Sequence, residues 1–136
     1  MNHEFFVPTQ MYFGSGCLEK LGSVKLPGKK ALIVTTGGRW LLEEGHIERI
    51  KTLLKKNGAD SIVYNKIQTN PGKRQVEELT RLCREEQCDM VIGFGGGSSI
   101  DSAKSVALTA ANEGDLWDYV DSGSGLGREI KNKPLP

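Results

Sequence analysis

Asp89-Met90-Val91-Ile92-Gly93-Phe94-Gly95-Gly96-Gly97-Ser98-Ser99-Ile100-Asp101-Ser102-Ala103-Lys104 is an apolar strand that breaks into glycines and restarts as a helix. Residues 90–94 are apolar enough for a buried strand, and from Ser98 onward Ile100, Ala103, Ala107 and Ala110 recur at helical spacing. Gly95, Gly96 and Gly97 lack Cβ atoms, so they can adopt positive φ and let a phosphate come close to the backbone. Ser98 is then placed to cap the helix. The first free N–H groups and the positive end of the helix dipole would together face an anion such as a pyrophosphate. The third glycine of a G-x-G-x-x-G count from Gly93 is replaced by Ser98, and no Walker A string is present. On the glycines alone, a tight turn with close helix packing is the competing explanation.

The same alternation extends towards the amino terminus. Ala31-Leu32-Ile33-Val34-Thr35 reads as a fully buried strand, followed by Gly37-Gly38 and a helix carrying Ile47, Ile50, Leu53 and Leu54 that stops at Asn57-Gly58. Ser61-Ile62-Val63-Tyr64 is the next strand, and Asn70-Pro71-Gly72 opens a helix through Val76, Leu79, Leu82 and Cys83. Short apolar strands alternating with amphipathic helices predict an α/β, doubly wound, mostly parallel sheet with right-handed crossovers. In such sheets ligands bind beyond the carboxyl ends of the strands, where Thr35 to Gly38, Gln68 to Pro71 and Gly95 to Ser98 would meet.

The flanks read differently. Phe5-Phe6-Val7-Pro8 and Gln10-Met11-Tyr12-Phe13-Gly14 suggest short extended segments that form an amino-terminal β-hairpin, and Gly16 to Gly22 offers one or two helical turns. Asp121-Ser122-Gly123-Ser124-Gly125-Leu126-Gly127 has no periodic apolar face and predicts a mobile loop. Lys131 to Pro136 reads as the approach to a strand. Residues 1–136 are expected to form one domain around this phosphate cradle, with 1–25 as amino-terminal strands and short helix, and 121–136 as a loop.

A chain of 136 residues with a net charge of +1 and both signs scattered fits one globular domain that binds a small molecule. It gives no sign of a nucleic-acid surface or of a membrane partner, and with no transmembrane run or signal-peptide start it reads as cytoplasmic. The three cysteines, Cys17, Cys83 and Cys88, lack zinc-finger spacing and are expected to be reduced, with Cys83 on an apolar helix face. His3 and His46 have no metal-ligand partner at i+4, so no metal site is assigned. Trp40 and Trp117 are read as core or interface residues in preference to cofactor-stacking ones.

The longer string Gly95-Gly96-Gly97-Ser98-x-x-Asp101-x-Ala103-Lys104 resembles the signature of the iron-containing (group III) alcohol dehydrogenases, which are related to glycerol dehydrogenase and dehydroquinate synthase. The resemblance is collinear over nearly the whole chain: Phe13-Gly14-x-Gly16-x-Leu18-x-x-Leu21 looks like the family's F-G-x-G element, Asn70-Pro71 like its N-P pair, and Asn112-Glu113-Gly114-Asp115-x-x-Asp118-Tyr119 like the segment after its signature helix. Lys133-Pro134-Leu135-Pro136 is similar to the stretch just before the family's I-P-T-T-x-A-G-T-G-S-E region.

The resemblance implies a Rossmann-like, dehydroquinate synthase-like fold and the cofactor half of an enzyme that moves hydride between NAD(P)(H) and a small alcohol or aldehyde. It places the iron, or another divalent metal, in a later helical domain, so this stretch by itself is expected to lack dehydrogenase activity. It also implies cofactor contacts from Thr36, Gly37, Gly38, Arg39, Asn70, Gly95, Gly96, Gly97, Ser98, Asp101 and Lys104, with Asp101 on the nicotinamide side. NAD-preferring relatives usually carry an Asp where Thr36 stands; its absence favours NADP over NAD, with Arg39 either pairing with the 2′-phosphate or simply solvated. Asp101 and Lys104, at i and i+3, are either site residues or a surface ion pair. The family further implies a homodimer through residues 5–13. The alternatives are a dehydroquinate synthase or glycerol dehydrogenase-like enzyme, and a non-catalytic nucleotide-binding module.

Overall fold

The computed structural model describes residues 9–38, 44–123 and 125–136. Three strands, β1 (Lys30–Thr36), β2 (Asp60–Ile67) and β3 (Met90–Phe94), alternate with three helices, α1 (His46–Lys56), α2 (Lys73–Glu85) and α3 (Gly97–Ala111). All strand pairing is parallel and the sheet order is β2-β1-β3. β1 is therefore central, and Ala31, Leu32, Ile33 and Val34 have no solvent exposure. Its side chains alternate between two cores. Leu32 and Val34 pack with Val76, Leu79 and Cys83 of α2 and with Ala103 and Val106 of α3. Ala31 and Ile33 pack with Ile50 and Leu54 of α1. Helices thus cover both faces, as the apolar run at 31–34 requires, and the expected doubly wound α/β fold is the one observed. Burying each Val, Leu or Ile among these contributes about 1.5–3 kcal/mol, against at most about 1 kcal/mol for an exposed ion pair such as Lys51–Glu48.

The edges of the elements follow local chemistry. α1 ends at Asn57, whose Nδ2 donates to the carbonyls of Leu21 (2.8 Å) and Val24 (2.6 Å), fastening the amino-terminal 3-10 helix Cys17–Gly22 to the domain. Arg84 of α2 caps α3: its Nη2 donates to the carbonyls of Thr109 and Asn112, both at 2.6 Å, where the helix dipole favours a cation. The Thr80 and Thr109 hydroxyls meet at 2.6 Å in the same buried interface. Burial pushes the Cys83 thiol up to about 11, so it stays protonated as a packing residue, and Cys17, Cys83 and Cys88 are all free thiols. No helix among the described residues is long and apolar enough to cross a membrane.

At the amino-terminal end of the sheet, Asp89 closes the join between β1 and β3. Its carboxylate accepts from the N–H groups of Lys29 (2.8 Å) and Lys30 (2.8 Å), while its own N–H donates to the Lys30 carbonyl at 3.0 Å. Burial raises the Asp89 pKa, but the backbone donors Lys30 and Lys29 outweigh it and hold the carboxyl below its usual value.

Three expectations are corrected. Residues 9–13 form no strand, and the rest of the expected hairpin, residues 5–8, lies outside the described residues. Met11 and Phe13 are almost fully exposed, and an extended pair without a third strand or a packed face is marginal by itself. The end of the glycine-rich segment is fastened: Leu126 N–H donates to Trp117 O (3.3 Å), Gly127 N–H to Val120 O (2.8 Å) and Arg128 N–H to Asp118 O (2.7 Å), holding residues 126–128 on the 3-10 helix Leu116–Tyr119. Glycine here serves close backbone contact as well as freedom. Thirdly, Ile100 is 40 % exposed, and α3 meets the sheet instead through Ser99, Ser102, Ala103 and Val106. The reason is Gly93: a Cβ there would lie 3.0 Å from both the Ala103 Cβ and the Ile100 Cα. So close an approach admits only small residues in the contact and turns Ile100 to the flank.

Gly93→Val should therefore destabilise the domain by about 1–3 kcal/mol in urea unfolding, through overpacking at this contact. Asp89→Ala should cost about 1 kcal/mol near neutral pH by removing hydrogen bonds to a charged acceptor. Because the folded pKa of Asp89 is depressed, its contribution is present above the ordinary carboxylate pKa of about 4 and is lost as pH falls through the folded value. The stability gap between Asp89→Ala and the parent chain should accordingly close on acidification below about pH 4, as read from denaturation midpoints across pH.

Candidate functional site

The three segments named from the sequence all leave the same end of the sheet. Thr36-Gly37-Gly38 follows β1, Asn70 follows β2, and Gly95 to Ser98 follows β3. β1 sits between the other two, with Thr36 paired to Ile67 and Thr35 to Phe94, so the exit loops of all three strands are neighbours. The chain leaves β1 towards the face that carries α1 and leaves β3 towards the face that carries α3. The two loops diverge, and the crevice between them is the switch point at which α/β sheets bind ligands.

The β3–α3 turn supplies the donors. Gly95 has φ +134°, a backbone that side-chain-bearing residues rarely adopt, and this reverses the chain at the end of the strand. Gly96, in extended backbone, is the N-cap, and no side chain caps the helix. Ser98 therefore is not the cap; it is the second residue of a helix that begins at Gly97, its cap two residues earlier than the sequence suggests. The first N–H groups held within the protein are those of Ser99 (3.1 Å) and Ile100 (3.2 Å), both donating to Gly96 O. The amides of Gly97 and Ser98 precede the first intrahelical bond and donate to no described residue. Neither Gly96 nor Gly97 has a positive φ, and a Cβ on either would meet nothing within 4 Å. Packing and backbone conformation leave glycine unexplained at these two positions.

The β1 loop is neutral. Thr36 is partly buried and Gly37 and Gly38 are exposed, with no acid among them. A Cβ on Gly37 would lie 2.7 Å from the Asn65 carbonyl oxygen, so this glycine has a packing reason; Gly38 is open apart from Thr36 Oγ1 at 3.8 Å. Arg39 and Trp40 lie outside the described residues. Asn70 is exposed with φ 53°, the left-handed region that Asn tolerates better than most residues, and it turns the chain from β2 towards α2. At the mouth of the crevice His46 Nε2 lies 3.0 Å from Glu44 Oε2, and its ring is 6.5 Å from that of Phe94. Trp117 is 42 % exposed on the distant 3-10 helix.

Asp101 and Lys104 are both exposed and no ion pair joins them. Lys104 lines a groove with Ile100, Ala103 and Ala107 beside the outer edge of β3, a turn down α3 from the glycines. Sequence reading missed the part played by Gly93 and the burial of Ser99 and Ser102, whose hydroxyls have no partner among the described residues. A glycine inside an apolar strand was the available signal, since such a residue often marks a close approach.

Comparison with known proteins bears on all of this. The family model described as iron-containing alcohol dehydrogenase matches residues 8–136. 1,3-Propanediol dehydrogenase from Citrobacter freundii is 33 % identical over 135 residues, covering 98 % of this chain and 33 % of that protein. The NAD-dependent methanol dehydrogenase of Bacillus methanolicus is 36 % identical over 117 residues, covering 85 % of this chain and 30 % of its own length. Among solved structures, NADH-dependent butanol dehydrogenase A from Thermotoga maritima superposes with a TM-score of 0.85 at 31 % identity, over 99 % of this chain and 33 % of that one. The chain thus spans about a third of the length of these relatives. Since the family model matches all but the first seven residues, the chain belongs to the iron-containing alcohol dehydrogenase family.

Proposed function

We propose that residues 1–136 form the dinucleotide-binding domain of an oxidoreductase that moves hydride between NAD(P)(H) and a small alcohol or aldehyde. The observation that carries this reading is the pair Gly96 and Gly97, glycines without a backbone or packing reason beside two amides that donate to no described residue. A helix start of this kind binds a pyrophosphate through N–H groups and the dipole, without a formal positive charge. When bound, the nicotinamide supplies the hydride chemistry and the protein supplies position. Gly95 turns the chain so that the amides of Gly97 and Ser98 point out of the sheet end. Asn70 borders the crevice from the β2 side, and Asp101 lies one turn into α3 on the nicotinamide side.

We also propose NADP in preference to NAD. Thr36, Gly37 and Gly38 set no carboxylate against a 2′-phosphate, and Arg39 follows them as its partner. The names of two relatives above specify NAD or NADH, so this reading concerns the loop chemistry of this chain alone. Among the described residues there is no group of three His, Cys, Asp or Glu that could hold a metal; on this reading the ligands of the family's iron come from the remaining two-thirds of a family member. The exposed Met11, Tyr12 and Phe13 support a homodimer through residues 5–13. A lyase of the dehydroquinate synthase type and a non-catalytic module find no separate observation in their favour.

Two measurements bear on the reading. Gly97→Ala should weaken NADP(H) binding at least about tenfold while leaving the melting temperature unchanged or slightly raised, because alanine favours a helix interior that glycine does not; unaltered affinity in a fluorescence titration would remove the anion site from this turn. Calorimetric titration should find NADP bound more tightly than NAD, with Arg39→Ala narrowing the difference; equal affinities in the parent chain would end the NADP assignment.

A further inference from the structure

We propose that Cys83 and Cys88 are a peroxide-responsive thiol pair that closes a reversible disulfide across the turn between α2 and β3. The backbone brings them together. α2 ends at Glu85, Glu86 follows as its C-cap, and Gln87 takes φ 54°, in the left-handed region. Cys88 N–H donates to the Cys83 carbonyl at 2.9 Å and Gln87 N–H to the Arg84 carbonyl at 3.0 Å. These two nested bonds are the Schellman ending of a helix, which folds the residue two past the cap back onto the last turn so that the two side chains meet. Apolar residues commonly fill both positions; here both are cysteines. The Cys83 Sγ lies 3.9 Å from the Cys88 carbonyl oxygen, and the two thiols interact directly, each shifting the other's titration. A disulfide spans Cα atoms about 4.4–6.8 Å apart, a separation compatible with a direct backbone hydrogen bond between the two residues.

The surroundings give the two thiols different parts. Both lie in the core that α2 and α3 make with the sheet, Cys83 with no exposure and Cys88 with 8 %. Burial raises both thiols, Cys83 to about 11, so at rest the pair is protonated and packed. At Cys88 the Lys30 ammonium is the strongest influence against burial, opposed by Glu86 and Asp89; at Cys83 only the weaker influence of Arg84 opposes it. Cys88 is therefore the thiol that a small oxidant meets first, and Cys83 the one behind it.

The oxidant is hydrogen peroxide. An S–O bond forms at Cys88 as the peroxide O–O bond breaks; the thiol proton leaves with the departing hydroxide as water, and Cys88 becomes a sulfenic acid. Cys83 Sγ then attacks that sulfur. An S–S bond replaces the S–O bond, and the hydroxyl leaves with the Cys83 proton as a second water. Two thiols are oxidised to one disulfide while one peroxide is reduced to two waters. A sulfenic acid with no thiol neighbour goes on to sulfinic acid, an irreversible charge in an apolar core, whereas a disulfide is returned to thiols by a dithiol reductant. The pair stands beside the Asp89 clamp, with the whole of β3 between it and the glycine turn, so the inference is independent of which nucleotide binds.

The test exposes the folded 136-residue chain to excess hydrogen peroxide and maps its thiols without reduction. Trypsin cuts after Arg84, so the cross-link joins peptides 82–84 and 85–104, which are otherwise separate. The joined pair should appear with the loss of two hydrogens, at the same rate in Cys17→Ser, and should vanish with dithiothreitol. In Cys83→Ala the sulfenic acid at Cys88 should persist, giving at least about tenfold more dimedone adduct than the parent chain. Sulfinic acid at Cys88 without the joined pair, a cross-link of either residue to Cys17 in its place, or an unmodified Cys88 under peroxide that oxidises Cys17 would each overturn the proposal. So would equal dimedone adduct in folded Cys83→Ala and the parent. The parent and Cys17→Ser maps decide the matter even where Cys83→Ala fails to fold.

Discussion

The burial of β1 on both faces is the constraint from which the rest of the domain follows. Ala31 to Thr35 exclude solvent entirely, so the strand must have a neighbour on each side and helices above and below. β2 and β3 meet the first demand, and α1 on one face with α2 and α3 on the other meets the second. Parallel strands joined by right-handed crossovers then leave all their exit loops at one end. The crevice at that end is a consequence of how the central strand is covered, and the segments that border it are otherwise far apart in the chain.

The two ends of the sheet divide the work. At the amino-terminal end backbone donors are consumed: Asp89 takes those of Lys29 and Lys30, and Arg84 supplies protons to the carbonyls that close α3. At the carboxyl end donors are left over, at Gly97 and Ser98. Those are the amides to which the proposed function assigns the pyrophosphate.

Much of this was legible in residues 89–104 and in the repeat of strand, glycine and helix before them. The continuous apolar runs at 31–34 and 90–94 read as buried strands because no polar face interrupts them, and the helices read from the spacing of Ile47, Ile50, Leu53 and of Val76, Leu79, Cys83. What failed was local detail that depends on neighbours. Ser98 has the chemistry of a cap, but Gly95 and Gly96 turn the chain early enough for the helix to begin before it. Ile100 has the hydrophobicity of a core residue, but the contact between β3 and α3 is too close for it. The glycines at 121–127 suggested freedom, and backbone bonds from Leu126, Gly127 and Arg128 remove it at the end of the segment.

The sequence by itself determined the α/β class, the position of the strands, the glycine turn and the family likeness, because burial pattern and turn chemistry are properties of short stretches. Tertiary structure alone decided which residue caps α3, which face of that helix meets the sheet, which loops become neighbours and which edge of β3 stays open. Those depend on how closely two backbones approach, as at Gly93 and Ala103, and no single segment carries that distance.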